Sequence, residues 1–285
     1  NNIIKIISIL NISYILYFSY TISILYLYFI YILFRYGNSN MTDKNEVSSF
    51  SNNHLINKDT DGIFVVVPAF NEDKTVGSVI EEIVKLGYKV ILVDDGSSDN
   101  TYEIAKSSKS KYPDNIFIYQ HVINRGLGAA LKTGMTGALI HGAKFIVTFD
   151  ADGQHAVEDI VKVCKPLKDG NAEVVIGSRP FEDMPNSKNF ANTVMNLMTY
   201  LFYRTKVKDS QSGLRAFKAE VIPKLNLLSR GYGVSSEFIR EIRRNHLKLE
   251  EVTITTIYTP ETQAKGTNAM VGLKILFKMI MDIFR

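Results

Sequence analysis

From Ile63 onward, the chain alternates short apolar runs with longer amphipathic stretches. In the longer stretches, at about 74–87, 100–110, 128–141 and 156–168, apolar residues recur every three or four positions, which predicts helices. Short runs that are continuously rich in Val and Ile are typical of strands buried on both faces. The pattern predicts an α/β domain with a mostly parallel central sheet flanked by helices. The predicted strands are IFVVVPAF, KVILVDD, NIFIYQ, KFIVTFDAD and AEVVIGS.

Composition excludes several classes of protein. The chain has 285 residues, and its 33 basic and 29 acidic residues are too evenly balanced and too widely spread to indicate a nucleic-acid partner. The single cysteine, Cys164, excludes an intrachain disulfide and a paired-cysteine zinc site. Mild basicity agrees with a phosphate-bearing ligand or a membrane surface.

The first forty residues differ in composition from the rest. No charge occurs from Ile6 to Phe34, a stretch longer than the roughly 20 residues that a transmembrane helix needs. The chain also begins with Asn, and residues 1–40 contain no Ala, Val, Pro, Asp, Glu or Gln, a bias typical of translated A/T-rich upstream DNA. A single membrane anchor and a true start at Met41 therefore both stay open. We expect four segments: 1–40 hydrophobic, 41–61 a polar linker, 62–260 the α/β domain, and 261–285 an amphipathic helix.

Polar residues follow the carboxyl ends of the first four predicted strands. Ligands of open parallel sheets bind at that edge, so these positions are candidates for a binding site. They are Asn71 and Glu72, Asp94 and Asp95, Asn124, and Asp150 and Asp152.

Asp150 and Asp152 flank Ala151 in the segment FDADGQH. If both lie at a strand end, alternate residues project the same way, and the two carboxylates can share one Mg²⁺ or Mn²⁺. Without a metal, each carboxylate raises the pKa of the other, which is the alternative of acid/base chemistry. A third interpretation is that they only cap the helix near Val157.

The segment NRGLGAALKTG has glycines at positions 126 and 128. Residue 131 is Leu where a dinucleotide fingerprint requires its third small residue, and the segment follows a later strand than the first. These two departures argue against an NAD site. The glycines instead favour a close backbone approach in a loop that opens a helix.

Taken in order, the segments VVPAFNE, ILVDDGSSDNT, NRGLGAALKTG, FDADGQH and DSQSGLRAF resemble the inverting-type family-two glycosyltransferases of GT-A fold. The closest similarity is to the branch with dolichyl-phosphate mannose synthase and polyprenyl-phosphate glucosyltransferases. The resemblance covers about residues 62–260 and implies a Rossmann-like nucleotide-binding half followed by an acceptor half. It implies transfer of a hexose, mannose or glucose, from a nucleotide sugar to a dolichyl or undecaprenyl phosphate.

The resemblance also implies roles for individual residues. Asp150 and Asp152 would hold Mg²⁺ or Mn²⁺, with Asp152, Arg215 and Gln211 as the catalytic set. Arg215 and Lys265 would hold the acceptor phosphate, although the loop around Lys265 departs from the family's usual Arg and Ser-Lys pattern. The residues implied in donor binding are Pro68, Ala69, Asn71, Glu72, Asp94, Asp95, Asn124, Gly126 and Asp150.

Two segments indicate where the lipid would be met. The C-terminal helix places Lys274, Lys278, Asp282 and Arg285 on one face, and residues 190–208 combine apolar bulk with a basic end. Each segment suits either core packing or a membrane interface. With a lipid-phosphate acceptor, the second interpretation predicts association with the cytoplasmic face of a membrane.

Other functions stay open at this point. The same donor chemistry could act on a glycan, a protein or another lipid, and an inactive nucleotide-sugar-binding protein would keep the same fold. Nucleotidyl transfer is disfavoured because PAFNEDKT is not the glycine-rich, basic signature expected after the first strand. Processive polysaccharide synthesis is disfavoured because those relatives share a Q-x-x-R-W motif and this chain has no tryptophan.

Overall fold

A computed structural model describes residues 60–180, 186–229 and 233–257. The predicted hydrophobic segment 1–40, nearly all of the linker 41–61, Lys265 and the C-terminal helix 261–285 lie outside the described residues. Among the helices within those ranges, none combines the length and the apolar character needed to cross a membrane.

The described core is one seven-stranded sheet in the order β3-β2-β1-β4-β6-β5-β7. β1 pairs in parallel with β2 and β4, β2 with β3, and β5 with β7, whereas β6 runs antiparallel to both of its neighbours. The sheet is therefore mostly parallel, as predicted. The strands are β1 (Ile63–Ala69), β2 (Lys89–Asp94), β3 (Ile116–Gln120), β4 (Phe145–Thr148), β5 (Val174–Ser178), β6 (Arg215–Lys218) and β7 (Leu249–Thr253).

Helices cover both faces of the sheet. Alternation along β1 sends Ile63, Val65 and Val67 to one hydrophobic cluster, and Phe64 and Val66 to the other. Because both clusters are closed by helices, all seven residues of β1 are buried. The helices are α1 (Val76–Lys85), α2 (Thr101–Lys111) and α4 (Asp159–Lys168) on the first face, and α3 (Leu127–Ile140), α5 (Asn186–Tyr203) and α6 (Val234–Arg244) on the second.

The predicted strands and the first four helices are confirmed, but one boundary changes an argument. β4 ends at Thr148, so Asp150 and Asp152 lie in the turn after the strand and not on the strand itself. Strand alternation therefore does not bring the two carboxylates together, and that part of the prediction is wrong. Strand β6 was not predicted, because RAFK is too short to show a period of two.

Candidate active site

The loops that follow the parallel strands lie at one edge of the sheet, where hydrogen bonds from side chains connect one loop to the next. The backbone N–H of Asn71, after β1, donates to Ser97 Oγ at 3.0 Å. In return, Asn71 Oδ1 accepts the backbone N–H of Ser98 at 2.9 Å. Asn71 has φ of 55°, a left-handed conformation that Asn tolerates better than most residues. The loops after β1 and β2 thus form one wall of the site.

Glu72 continues this wall. Its backbone N–H donates to Thr101 Oγ1 at 2.8 Å, at the start of α2, and its carboxylate accepts Thr75 Oγ1 at 3.2 Å. Pro68 and Ala69, which precede it on β1, are buried. Of these three residues, only Glu72 is partly exposed, so the predicted donor contacts of Pro68 and Ala69 stay predictions.

Asp94 is fully buried at the end of β2. Its Oδ1 accepts the backbone N–H of Ser97 at 3.2 Å, and its Oδ2 accepts Gln120 Nε2 at 3.0 Å. Both oxygens already have protein donors, so Asp94 shapes the turn after β2. Its predicted contact with the nucleotide base stays a prediction.

Asp95 organises the loop that opens α3. Its Oδ1 accepts the backbone N–H of Arg125 at 3.0 Å, and its Oδ2 accepts that of Gly126 at 2.7 Å. Gly126 has φ of 89°, which favours glycine at this turn, and Asn124 is exposed just before it. Because the two amides bind Asp95, they do not donate to a phosphate in this arrangement, and the predicted contact of Gly126 with the donor stays a prediction.

Asp150 and Asp152 lie in a turn held by its own side chains. Asp152 accepts the backbone N–H of Gln154 at 3.0 Å and Gln154 Nε2 at 2.7 Å. Asp150 Oδ2 lies 3.3 Å from Nε2 of His155, a buried ring that packs edge-on against Phe149. Helix α4 begins only at Asp159, so neither aspartate caps it.

The chain after β7 closes against this turn. His155 forms an antiparallel bridge with Thr256, and the backbone N–H of Ile257 donates to Gln154 O at 2.9 Å. Thr256 and Ile257 therefore lie beside the turn that contains the two aspartates.

The two carboxylates have opposite pKa shifts. Burial raises the pKa of Asp150, but the hydrogen bond and attraction of His155, with the charges of Arg215 and Arg179, outweigh burial and hold it below its ordinary value. Burial, and then the negative charge of Asp150, raise the pKa of Asp152 to about 6. The site therefore carries acidic groups whose mutual repulsion a cation would relieve.

The carboxylate oxygens of Asp150 and Asp152 are suitable ligands for a hard divalent cation. Mg²⁺ and Mn²⁺ favour carboxylate oxygens, and Mg²⁺ usually takes only one or two of them together with substrate phosphates. Within residues 60–180, 186–229 and 233–257, no group of three or more His, Cys, Asp and Glu side chains forms a closed metal cage. Two carboxylates are as many as that mode of binding requires.

Two arginines place positive charge near Asp150. Arg215 is 2% exposed, stacks on the Phe238 ring at 5.1 Å, and donates from Nη2 to Ser210 O at 3.2 Å. Burial lowers the pKa of Arg215 to about 10, against the charges of Asp150 and Asp209, so it stays cationic at neutral pH. Its Nε has no hydrogen-bond partner in the described part of the chain. The predicted contact with an acceptor phosphate stays a prediction.

Arg179 and Asp209 form an ion pair that the sequence analysis missed. Arg179 Nε and Nη2 lie 2.6 and 3.0 Å from the two oxygens of the buried Asp209. The Arg179 side chain is 19% exposed, which makes it the more accessible of the two arginines. Arg179 directly follows a predicted strand, so the strand-end rule that selected the aspartates would also have found it.

The predicted residue Gln211 lies with Ser212 in the loop before β6, and Glu237 lies on helix α6. Gln211 is partly exposed, and its Nε2 donates to Ser210 Oγ at 3.2 Å, so its catalytic role stays a prediction. Ser212 is buried. Glu237 is buried as well and accepts the backbone N–H groups of Leu228 and Ser229 at 3.0 and 2.7 Å, which gives it a structural role.

The chain matches a known protein family and several known proteins. Residues 64–225 match the family described as glycosyl transferase family 2. An uncharacterised protein of Methanocaldococcus jannaschii is 46% identical over 245 residues, covering 83% of this chain and 98% of that protein. The UDP-N-acetylglucosamine–dolichyl-phosphate N-acetylglucosaminyltransferase of Methanococcus voltae is 39% identical, covering 77% and 95% of the two chains.

Proteins of lower sequence identity also match this chain. The polyprenol monophosphomannose synthase of Mycolicibacterium smegmatis is 27% identical, covering 69% of this chain and 77% of that protein. Among solved structures, glucosyl-3-phosphoglycerate synthase from Mycobacterium tuberculosis, in complex with Mn²⁺, UDP and glucosyl-3-phosphoglycerate, superposes with a TM-score of 0.61 at 18% identity. That match covers 83% of this chain and 86% of the other.

Proposed function

Because the chain belongs to glycosyl transferase family 2, we propose that it transfers a sugar from a nucleoside-diphosphate sugar to a dolichyl or other polyprenyl phosphate. The predicted family and GT-A fold are confirmed, and the chain is a glycosyltransferase. The main observation in support of the proposal is the turn that contains Asp150 and Asp152. It lies at the same edge of the sheet as the predicted donor-binding loops, and the positive charges of Arg215 and Arg179 act on Asp150.

The donor would bind against the wall formed by the loops after β1 and β2, beside the loop that follows β3. The negative charge of Glu72 contributes to the raised pKa of Asp152, so the wall and the acidic turn are electrostatic neighbours. A nucleotide on the wall would therefore direct its diphosphate towards Asp150 and Asp152. Of the predicted donor-binding residues, Asn71 and Asn124 are exposed and Glu72 is partly exposed, so these three could reach a ligand, whereas Asp94 and Asp95 are buried.

Asp150 and Asp152 would hold the divalent cation. When bound, such a cation stabilises the negative charge that develops on the departing nucleoside diphosphate. Asp152 must release its proton before it can ligate, and His155 and Gln154 hold the two side chains in the turn. The hydrogen bond and charge of His155, with the charges of Arg215 and Arg179, lower the pKa of Asp150 and so favour its ionised form.

The acceptor phosphate needs cations and no general base. A phosphate monoester has a second pKa near 6 and is mostly a dianion at neutral pH, so it is already a nucleophile. Arginine suits phosphate because its planar group donates two hydrogen bonds at once. Arg179, as the more accessible arginine, joins Arg215 and Lys265 as a candidate to bind it.

The sugar is the finer part of the proposal. The sequence resemblance favoured mannose or glucose, whereas the 39% identical relative is named for N-acetylglucosamine transfer and the 27% identical relative for mannose. The higher identity favours N-acetylglucosamine. Attack by the phosphate in a single displacement would invert the anomeric carbon of that sugar.

A transfer assay tests both parts. The full chain is incubated with Mn²⁺, dolichyl phosphate and radiolabelled UDP-N-acetylglucosamine, GDP-mannose or UDP-glucose in separate reactions, and label is extracted into organic solvent. We expect label in the lipid from UDP-N-acetylglucosamine, and less by about 100-fold or more with an Asp152→Asn variant. Label in the lipid from GDP-mannose alone would show that the transferred sugar is mannose and not N-acetylglucosamine. No lipid label from any donor would refute the lipid-phosphate acceptor.

A further inference from the structure

His121 has no role in the site described above, yet it lies among the loops that form it. It directly follows β3, is 8% exposed, and its backbone N–H donates to Asp94 O at 2.9 Å. Two polar side chains contact its ring from opposite sides. A buried imidazole with both nitrogens engaged is held in one orientation.

The ring joins Asp95 to helix α3. Nδ1 of His121 lies 2.6 Å from Asp95 Oδ1, and Nε2 lies 2.9 Å from Thr133 Oγ1. Because an ionised carboxylate only accepts hydrogen bonds, Nδ1 donates to Asp95. In a neutral ring, Nε2 then accepts the hydroxyl proton of Thr133. The chain Thr133–His121–Asp95 thus ties a strand end to the second turn of a helix.

Asp95 transmits this constraint to the loop before α3. Besides His121, its carboxylate accepts the backbone N–H groups of Arg125 and Gly126. The loop also packs directly on the turn after β2, since a Cβ at Gly96 would overlap the backbone of Ile123 and Asn124. The rotamer of the Asp95 carboxylate therefore decides where the backbone of residues 124–126 lies.

We infer that His121 is a positioning residue for the donor nucleotide. By holding the Asp95 carboxylate it keeps the loop 124–126 in place against the wall on which the nucleoside diphosphate would bind. This inference rests on the proposed function, because the ligand is that donor's nucleoside diphosphate. His121 does not touch the ligand, and its effect passes through Asp95.

Two substitutions of His121 distinguish the contact of Nδ1 with Asp95 from the contact of Nε2 with Thr133. The amide nitrogen of His121→Asn can take the position of Nδ1 and still donate to Asp95. The amide of His121→Gln reaches the position of Nε2, so it keeps contact with Thr133 but loses Asp95. If His121 serves only to fill the interior, the two variants have no reason to differ in this order.

The experiment measures loop order and nucleotide affinity separately on the full chain. Amide hydrogen exchange is followed in peptides that span residues 122–127, without ligand. Dissociation constants for UDP and for GDP are measured with Mn²⁺ by calorimetry. For His121→Gln we expect faster exchange and binding of the preferred nucleotide that is about tenfold weaker, the size of one lost charge-assisted hydrogen bond. For His121→Asn we expect both values to stay near wild type.

The inference is overturned if the two variants bind nucleotide equally, or if exchange rises in His121→Gln without any loss of affinity. A wild-type chain that binds neither UDP nor GDP would refute the proposed donor class itself, and the inference with it. That outcome is recognised in the wild-type measurement before any variant is compared.

Discussion

Gly213 packs directly against the carboxylate of Asp150, since a Cβ at position 213 would overlap both carboxylate oxygens. The Gly213 carbonyl accepts Thr148 Oγ1 at 2.7 Å, which fixes this backbone to the end of β4. The position of Asp150 therefore depends on the absence of a side chain at residue 213.

The first prediction concerns this contact. A Gly213→Ala substitution must displace Asp150, and a misplacement of about 1 Å at a reacting centre can cost about 100-fold in rate. We expect a loss of transfer activity of about that size, with little change in the far-ultraviolet circular dichroism. Gly77→Ala is the control, because its added Cβ meets only the Ile104 side chain and neither aspartate. Equal activity in the two variants would contradict the prediction.

The second prediction concerns metal removal. EDTA should abolish transfer, and Mn²⁺ or Mg²⁺ should restore it, because Asp150 and Asp152 would otherwise repel the donor diphosphate. Asp152→Asn should lower kcat by about 100- to 1000-fold, the range found when one electrostatic stabiliser of a transition state is removed. Asp169→Asn, at a surface ion pair with Lys165, is the control and should leave kcat unchanged. Full activity in EDTA would refute the role of the cation.

The third prediction concerns pH. With a pKa of about 6, Asp152 is protonated in acid and cannot ligate a cation. Activity measured at low Mn²⁺ should therefore fall about tenfold per pH unit below pH 6. Raising the Mn²⁺ concentration favours the ionised form, so the acidic limb should move to lower pH. A limb that stays at the same pH at all Mn²⁺ concentrations would assign it to another group.

The fourth prediction concerns the buried Arg215. Arg215→Met removes the charge that lies among Asp150, Asp209 and the Phe238 ring. Loss of one partner from a buried ionic group costs about 3–5 kcal/mol, so we expect the free energy of unfolding in urea to fall by about 3 kcal/mol. Arg243→Met, at an exposed position on α6, should change it by less than about 0.5 kcal/mol. Unchanged stability would contradict the structural role of the buried charge, whatever the effect of the substitution on the acceptor KM.

The fold class and the edge that bears the site could both be predicted from the sequence. Periodicity is local, so Val- and Ile-rich runs and amphipathic stretches report strands and helices without any knowledge of their neighbours. Parallel strands must place their carboxyl ends together, and for that reason the sequence alone predicts that Asn71, Asp94 and Asp150 lie at one edge. The ordered motifs then indicated the family.

The contacts that give each residue its role were decided by the tertiary structure. The antiparallel strand β6 places Arg215 opposite Thr148, two residues before Asp150, although the two strands are far apart in the chain. Arg179 meets Asp209, and His121 meets Asp95, across long stretches of intervening sequence. Such pairings depend on strand order and on side-chain packing, which involve residues far apart in the chain. No local pattern in the sequence carries that information.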